Sequence, residues 1–466
     1  MNSWAAAAGR RWCAPALFGT WAAAIALAPD PAWKAVLAAP AVLIPLAWWT
    51  LAEPSRWVAL FLVSALLLPP LPIPIGDSGP HPCLLFAALG LFAGMVWLAH
   101  WRIRPDSLTG SMTAYLGVLL ASVASASVRS GGTAAAGSLA RVVLLGISIY
   151  VFFYTAHGPA PSGNAFRDTR RLYWVATASA LFACIDFYFQ FPAPAGFGPQ
   201  FVWLDSGVYR RAQGLFYEAS TLGNFCAFFL VMIAVALARA RSDAPVSRKA
   251  LAVCGAVFFA ALVLSYSRAS LLNVLVALAV LAWLHRKRVR WGRAAAILSA
   301  AAAGGALVTG RLFPAFATMY WLRVSGSAEY FFSATESVLS GRVASWRLLA
   351  GWISANPWSA LLGIGYKTLP YSDYLGGPVV ADNMYLSVLV ETGVLGLAAL
   401  LWLNGAILRA SYRAARAEDR QSSFFGAWML CFWAGEMVQM LSGDSLTYWR
   451  LLPVYFWVLA MAVRVS

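Results

Sequence analysis

Apolar runs separated by short polar connections repeat along the whole chain of 466 residues. Most runs extend over roughly 15–25 residues, long enough for a helix to cross the hydrocarbon core of a bilayer. The pattern predicts an all-α, polytopic membrane protein with about 12–14 transmembrane helices. The expected spans lie at approximately 14–28, 35–52, 57–71, 83–101, 111–127, 141–157, 172–190, 214–238, 250–266, 269–284, 294–311, 382–408, 422–441 and 451–464.

One connection, between the spans ending near residue 311 and beginning near residue 382, is about seventy residues long, and connections of that length are usually functional. Within it, apolar residues recur at helical spacing, with Arg342 and Arg347 outside the apolar stripe, until Asn356 and Pro357 end the pattern. We expect an amphipathic helix that lies on the outer membrane surface or covers a cavity.

These features divide the chain into four expected segments. They are the N-terminal transmembrane helices at 1–210, a second helical group at 211–311, the long outer loop at 312–381 and the C-terminal transmembrane helices at 382–466.

Composition supports the membrane assignment, because 61% of the residues are hydrophobic, 11% are charged and the mean hydropathy is +0.70. The formal net charge of +16 would suggest a nucleic-acid partner in a soluble protein. Here most lysines and arginines fall in alternate connections, as expected for cytoplasmic loops. This asymmetry predicts cytoplasmic N- and C-termini and an outward-facing long loop, and we expect no nucleic-acid partner.

Metal or cofactor chemistry is not expected. The six cysteines form no CxxC pair, and the four histidines are scattered.

Arginines at the predicted outer face run against the charge pattern and are therefore informative. Arg268 stands in the motif LSYSRAS between two apolar runs with almost no loop to solvate it, so a functional site is the default interpretation. Arg210 and Arg211 directly precede the span expected at 214–238. Glu218 is expected about two turns inside that helix. Guanidinium groups at this depth suit a lipid-linked phosphate or diphosphate. The alternatives are interaction with lipid headgroups and, for Glu218, a structural counter-ion or the wall of an acceptor channel.

Asp382 and Asn383 stand where the span after the long loop begins. A carboxylate at this position could accept a proton from a sugar hydroxyl that attacks an anomeric carbon. The equally weighted alternative is that Asp382 caps the helix N-terminus. Further candidates for phosphate or sugar contacts are Arg342, Arg347, Lys367, Asn383 and Tyr385.

Four stretches in order resemble the O-antigen ligase and O-antigen polymerase superfamily. They are RAQGLFYEASTLGNF at 211–225, SYSRASLL at 265–272, GRVASWRLL followed by NPWSALLGIGY within 341–366, and DNMYLSVLVETGVLGL at 382–397. The resemblance extends over about the C-terminal 60% of the chain. It implies an inverting glycosyltransferase acting on undecaprenyl-diphosphate-linked glycans outside the bacterial cytoplasmic membrane.

By this resemblance, Arg211 and Arg268 correspond to two arginines that hold the donor diphosphate. Asp382 stands where the ligases have the His of a His-Asn pair, whereas Asn383, Gly393 and Gly396 keep the frame of the motif. This departure favours a polymerase of O-antigen or exopolysaccharide repeats over a ligase that transfers glycan to the lipid A core.

The expected enzyme is metal-independent, with Asp382, Arg211 and Arg268 as catalytic residues and a periplasmic active site. Its expected partners are a lipid-linked glycan donor, a glycan acceptor and membrane lipid, with a chain-length regulator as a further candidate. The rival interpretation is a lipid-linked oligosaccharide flippase. A transporter is expected to have repeated halves and broken helices near the midplane, and the chain shows no obvious internal repeat.

Overall fold

The structure is a computed structural model. It describes residues 17–71, 79–159, 165–191, 198–204, 207–239, 244–286, 307, 310–311, 317–318, 320–321 and 342–464. In chain order the helices are α1 Leu17–Leu27, α2 Pro31–Ala52, α3 Arg56–Leu67, α4 Cys83–Val96, α5 Ser107–Arg129, α6 Gly131–His157, α7 Ala165–Phe189, α8 Ala219–Leu237, α9 Arg248–Leu264, α10 Arg268–Leu284, α11 Arg342–Ala355, α12 Pro357–Leu362, α13 Met384–Ala415, α14 Arg420–Gln439 and α15 Leu452–Val463. Short 3₁₀ helices lie at Leu98–His100, Asp373–Leu375 and Ser445–Thr447.

The predicted all-α, polytopic membrane fold is confirmed. Five helices of the described residues, α5, α6, α7, α8 and α13, are long and apolar enough to cross a membrane, and several shorter apolar helices accompany them. Thirteen of the fourteen expected spans overlap helices whose bounds are given above. Most of the other span, at 294–311, lies outside the described residues.

The region between α7 and α8 differs from the sequence-based expectation. It contains a two-stranded antiparallel sheet, β1 at Phe201–Leu204 and β2 at Gly207–Arg210, in which Val202 stands opposite Tyr209. The prediction that Glu218 lies inside α8 is wrong, because Glu218 is the residue immediately before that helix. The error arose because an apolar run shows where a helix passes and leaves its first turn undefined.

Helix α14 lies at the centre of the bundle and packs against α8, α10, α13 and α15. A buried polar network joins four of these helices. Asn224 of α8 and Asn273 of α10 both donate to the Glu436 carboxylate and to Gln439 of α14, and the hydroxyl of Tyr455 in α15 donates to Asn224. Because unpaired polar groups are costly in a membrane, this network fixes the helices relative to one another.

The long connection docks onto a kink in α13. Gly393 has φ +73° inside this helix, and an added Cβ there would meet the carbonyl group of Leu361. The kink exposes the carbonyl oxygens of Val390 and Glu391, which accept hydrogen bonds from the amides of Ile364 and Gly365 at 3.1 and 2.7 Å. Glycine is needed here because a side chain would be strained by its φ and obstructed by the neighbouring backbone.

The predicted amphipathic helix is present as α11, which ends at Ala355. Its Leu349 is fully buried against residues of the docked connection and of α13. The indole of Trp346 donates to the carbonyl of Ala381 at 2.6 Å. Asn356 and Pro357 separate α11 from α12, as the sequence predicted.

Candidate functional site

A cavity of about 1660 Å³ occupies one end of the bundle. Its walls come from the connections before α4, α8 and α13, from the start of α6, and from the α9–α10 and α14–α15 turns. Many ligand pockets measure about 300–1,000 Å³, so this cavity has room for more than one small ligand. Six residues singled out from the sequence line it: Arg211, Glu218, Arg268, Arg342, Lys367 and Asp382.

Arg211 and Arg268 are brought together by the turn between α9 and α10. The Arg211 Nε donates to the carbonyl oxygen of Ser265 at 2.9 Å, three residues before Arg268. Ser267 caps α10 by accepting from the amide of Ser270, which sets Arg268 as the first residue of that helix. The turn is sharp, and the intervening Tyr266 has φ +53°.

Arg342 belongs to the same cationic group. Burial lowers the pKa of the Arg211 guanidinium, Glu218 raises it, and the positive charges of Arg342 and Arg268 lower it further. All three arginines also line the same cavity. The group therefore presents several positive charges to one region of the cavity, a favourable setting for a multiply charged anion.

Asp382 is paired with an arginine and does not cap α13. Its Oδ2 accepts from Arg342 Nε at 2.9 Å, with 26% of the Arg342 side chain and 44% of the Asp382 side chain exposed. The cap is Asn383, whose side chain accepts from the amide of Leu386 at 3.1 Å. The capping alternative for Asp382 is therefore wrong, and its carboxylate lies in the cavity beside the cationic group.

A second charged group lines another part of the cavity. Lys367 forms an ion pair with Asp444, and burial lowers the pKa of the lysine ammonium while Glu391 raises it. Glu391 is 1% exposed, and its Oε1 accepts from the amide of Leu369 at 3.2 Å. This group carries compensating charges, so the arginine group is the better candidate for an anion site.

Backbone conformation also marks the cavity. Among the described residues, four that are not glycine have positive φ: Gln190, Tyr266, Lys367 and Asp382. The last three line the cavity. Such conformations cost about 1–3 kcal/mol each and cluster at functional sites, where the surrounding structure holds them in place.

Four residues predicted to contact substrate are placed outside the cavity lining. Arg210 pairs with Asp186 at 3.5 Å, and Arg347 lies on the exposed face of α11. Asn383 caps α13, and the Tyr385 hydroxyl donates to the carbonyl oxygen of Met437 at 3.0 Å. Each has a structural partner or position that accounts for it without a substrate.

Sequence reasoning missed Asp444, Gln439 and Tyr448, which line the cavity from the α14–α15 connection. The available signal was weak: an acid and several hydroxyl groups in the short segment LSGDSLTYWR between two apolar runs. Among the described residues, no group of three or more His, Cys, Asp or Glu side chains is arranged to hold a metal ion.

Residues 250–401 match the sequence profile of the family described as O-antigen ligase. This match supports membership of the O-antigen ligase and polymerase superfamily. The match includes Arg268, Arg342, Lys367 and Asp382, whereas Arg211 lies outside it. No curated protein matches the chain.

The matched family also indicates the general activity. It implies a membrane enzyme of the glycosyltransferase type, acting on a lipid-linked glycan and an acceptor. Together with the apolar helices, it indicates an inner-membrane protein.

Proposed function

We propose that the protein is an inverting glycosyltransferase that polymerises undecaprenyl-diphosphate-linked oligosaccharide repeat units at the periplasmic face of the inner membrane. The observation that carries the proposal is the arrangement of Arg211, Arg268 and Arg342 around one region of a large cavity, with the Asp382 carboxylate beside them. This pairs an anion site with a candidate base.

The proposed reaction exchanges one bond to the anomeric carbon for another. The acceptor hydroxyl oxygen forms a bond to the anomeric carbon while the bond from that carbon to the diphosphate oxygen breaks. The bonding electron pair leaves with the diphosphate, whose developing charge Arg211 and Arg268 stabilise. Asp382 takes the hydroxyl proton.

The polymerase is favoured over the ligase by one residue. Asp382 stands where the resemblance places the ligase histidine, so transfer to another lipid-linked glycan fits better than transfer to lipid A core. The cavity volume suits this reaction, because a donor and an acceptor glycan must both reach the site. A chain-length regulator is a further proposed partner.

The test uses cells that lack the protein and are complemented with the wild type, Asp382→Ala, Arg211→Ala or Arg268→Ala at matched membrane abundance. The measurement is the length distribution of the surface polysaccharide. A polymerase predicts single repeat units in the null strain and in the three variants, with long chains restored only by the wild type.

The ligase alternative gives a different result in the same cells. Complete polymer would accumulate on its lipid carrier in the null strain and fail only to reach its final acceptor. Repeat units retained on the cytoplasmic side of the membrane would instead indicate a flippase.

A further inference from the structure

In the Arg342–Asp382 ion pair, each side chain occupies atoms that the other would need in the proposed function, Asp382 as proton acceptor and Arg342 in the anion site. The contact occupies Asp382 Oδ2, one of the two oxygens that could accept a proton from a sugar hydroxyl. The pair also occupies Arg342 Nε, one of the donors that a phosphate group would use. In the arrangement observed, one oxygen of the candidate base and one donor of the candidate anion site are therefore bound to each other.

The position of Arg342 makes an exchange of partners feasible. It is the first residue of α11, and its charge already acts on Arg211. Both partners of the ion pair are partly exposed to the cavity, where such pairs are weak. A diphosphate bound at Arg211 and Arg268 would bring several negative charges close to Arg342, whereas Asp382 offers one.

We propose that Arg342 is a positioning residue that moves from Asp382 to the donor diphosphate when the donor binds. This inference rests on the proposed function and deepens it. Without a donor, Arg342 restrains the Asp382 carboxylate. With a donor, Arg342 contributes to the diphosphate site, and the released carboxylate is free to take the acceptor proton.

The exchange orders the reaction. The acceptor hydroxyl loses its proton to Asp382 only after the donor diphosphate has engaged Arg342. After the bond between the anomeric carbon and the diphosphate oxygen breaks, the diphosphate leaves with its electron pair, and Arg342 returns to Asp382 once that carboxylate has released its proton to water.

Asp382 and the diphosphate compete for Arg342 in this proposal. The competition can be tested by a binding measurement, without turnover. The probe is undecaprenyl diphosphate, and its Kd is measured on the full-length protein in nanodiscs. Asp382→Asn removes the competitor, so we expect binding to become two- to fivefold tighter while glycosyl transfer is lost. In an Arg342→Ala background, Asp382→Asn is expected to leave the Kd unchanged.

Glu218→Gln supplies a matched control. It removes one negative charge from the same cavity, near Arg211, and glutamine can still accept the 2.7 Å hydrogen bond from the Ser220 hydroxyl. Any tightening that it causes is expected to persist in the Arg342→Ala background. Only the effect of Asp382→Asn depends on Arg342.

The outcomes separate this inference from the proposed function. If Arg211→Ala weakens binding but Asp382→Asn does not tighten it, or tightens it equally with and without Arg342, the exchange is refuted and the donor site stands. If the wild type does not bind undecaprenyl diphosphate, or Arg211→Ala leaves the Kd unchanged, the proposed donor site itself is wrong.

Discussion

Arg211 Nε donates a hydrogen bond to the carbonyl oxygen of Ser265 at 2.9 Å, and this contact fixes Arg211 beside the turn that carries Arg268. Arg211 is thus held by a backbone carbonyl in that contact, three residues before Arg268. We expect Arg211→Ala and Arg268→Ala each to lower turnover about 10²–10³-fold, the loss typical when a group that stabilises developing negative charge is removed. The measurement is elongation of a synthetic undecaprenyl-diphosphate-linked oligosaccharide in nanodiscs.

Arg210→Ala is the matched control for Arg211→Ala. Arg210 precedes Arg211 directly but pairs with Asp186 and does not line the cavity. Its replacement should lower stability, because Asp186 loses a largely buried partner, but should keep turnover per folded molecule within a few-fold of the wild type. Equal losses from Arg210→Ala and Arg211→Ala would mean that the segment acts through general folding and not through the arginine at the site.

Gly393→Ala should disturb the site through the backbone. The residue has φ +73°, and a Cβ would meet the carbonyl group of Leu361. We expect a loss of about 1–3 kcal/mol in stability and a lower turnover, because the kink holds the loop that carries Lys367. Thermal unfolding and elongation assays on the same nanodisc sample measure both effects.

Gly405→Ala gives the comparison within the same helix. No heavy atom lies within 4 Å of an added Cβ at this position. Alanine should therefore leave activity unchanged and raise stability by up to about 1 kcal/mol through its better helix propensity. A similar loss of activity from both substitutions would contradict the role given to the kink.

Removal of one member of the Lys367–Asp444 ion pair should cost more stability than removal of both. Lys367 is buried, and a single Asp444→Leu substitution leaves its ammonium group without this counter-ion. We expect a loss of about 3–5 kcal/mol for the single variant and a much smaller change for Lys367→Met combined with Asp444→Leu. Thermal unfolding of the two single variants and the double variant decides the point, and additive losses would argue against the pair.

His81 should make stability sensitive to acid. Its Nε2 donates to the carbonyl oxygen of Leu68 at 2.8 Å, and its Nδ1 accepts from the amide of Cys83, so the neutral ring is the form that fits. Burial and the charge of Arg450 lower the pKa of His81 to about 4. In the unfolded chain the pKa is about 6.5, and the unfolded state therefore binds the proton first as the pH falls.

Stability should consequently be complete above about pH 6.5 and decline between about pH 6.5 and 4, by up to about 3 kcal/mol. The check is the unfolding temperature of the wild type and of His81→Gln across this interval. Glutamine can make both hydrogen bonds but does not titrate, so the variant should show a weaker pH dependence. Identical profiles for the two proteins would exclude His81 as the cause.

The sequence predicted those features that depend on local pattern. Arg268 was recognisable because a cation between two apolar runs has no loop to solvate it, and α11 because its apolar positions share one face. Asn356 and Pro357 marked the helix end through backbone restrictions that are local.

Other features required the folded chain. Lys367 and Asp444 are 77 positions apart, and nothing in either segment specifies the other as its partner. The sequence alone does not decide between base and cap for Asp382, because its partner Arg342 stands forty residues earlier. Local pattern does not distinguish Arg210 from Arg211, although the family resemblance favours Arg211 as the donor-binding residue. The fold directs Arg210 to Asp186 and Arg211 to the cavity.

Arg450 lines the cavity and binds backbone from two distant parts of the chain, donating to the carbonyl oxygens of Ala65 and Leu68 at the end of α3 and of Leu215 before α8. The ribosome makes those carbonyl groups hundreds of residues before it makes their common donor. During synthesis, the carbonyl groups of Ala65, Leu68 and Leu215 therefore lack these hydrogen bonds until Arg450 has been made. This wall of the cavity can form only after Arg450 has been synthesised, so a chain that ends before Arg450 lacks it.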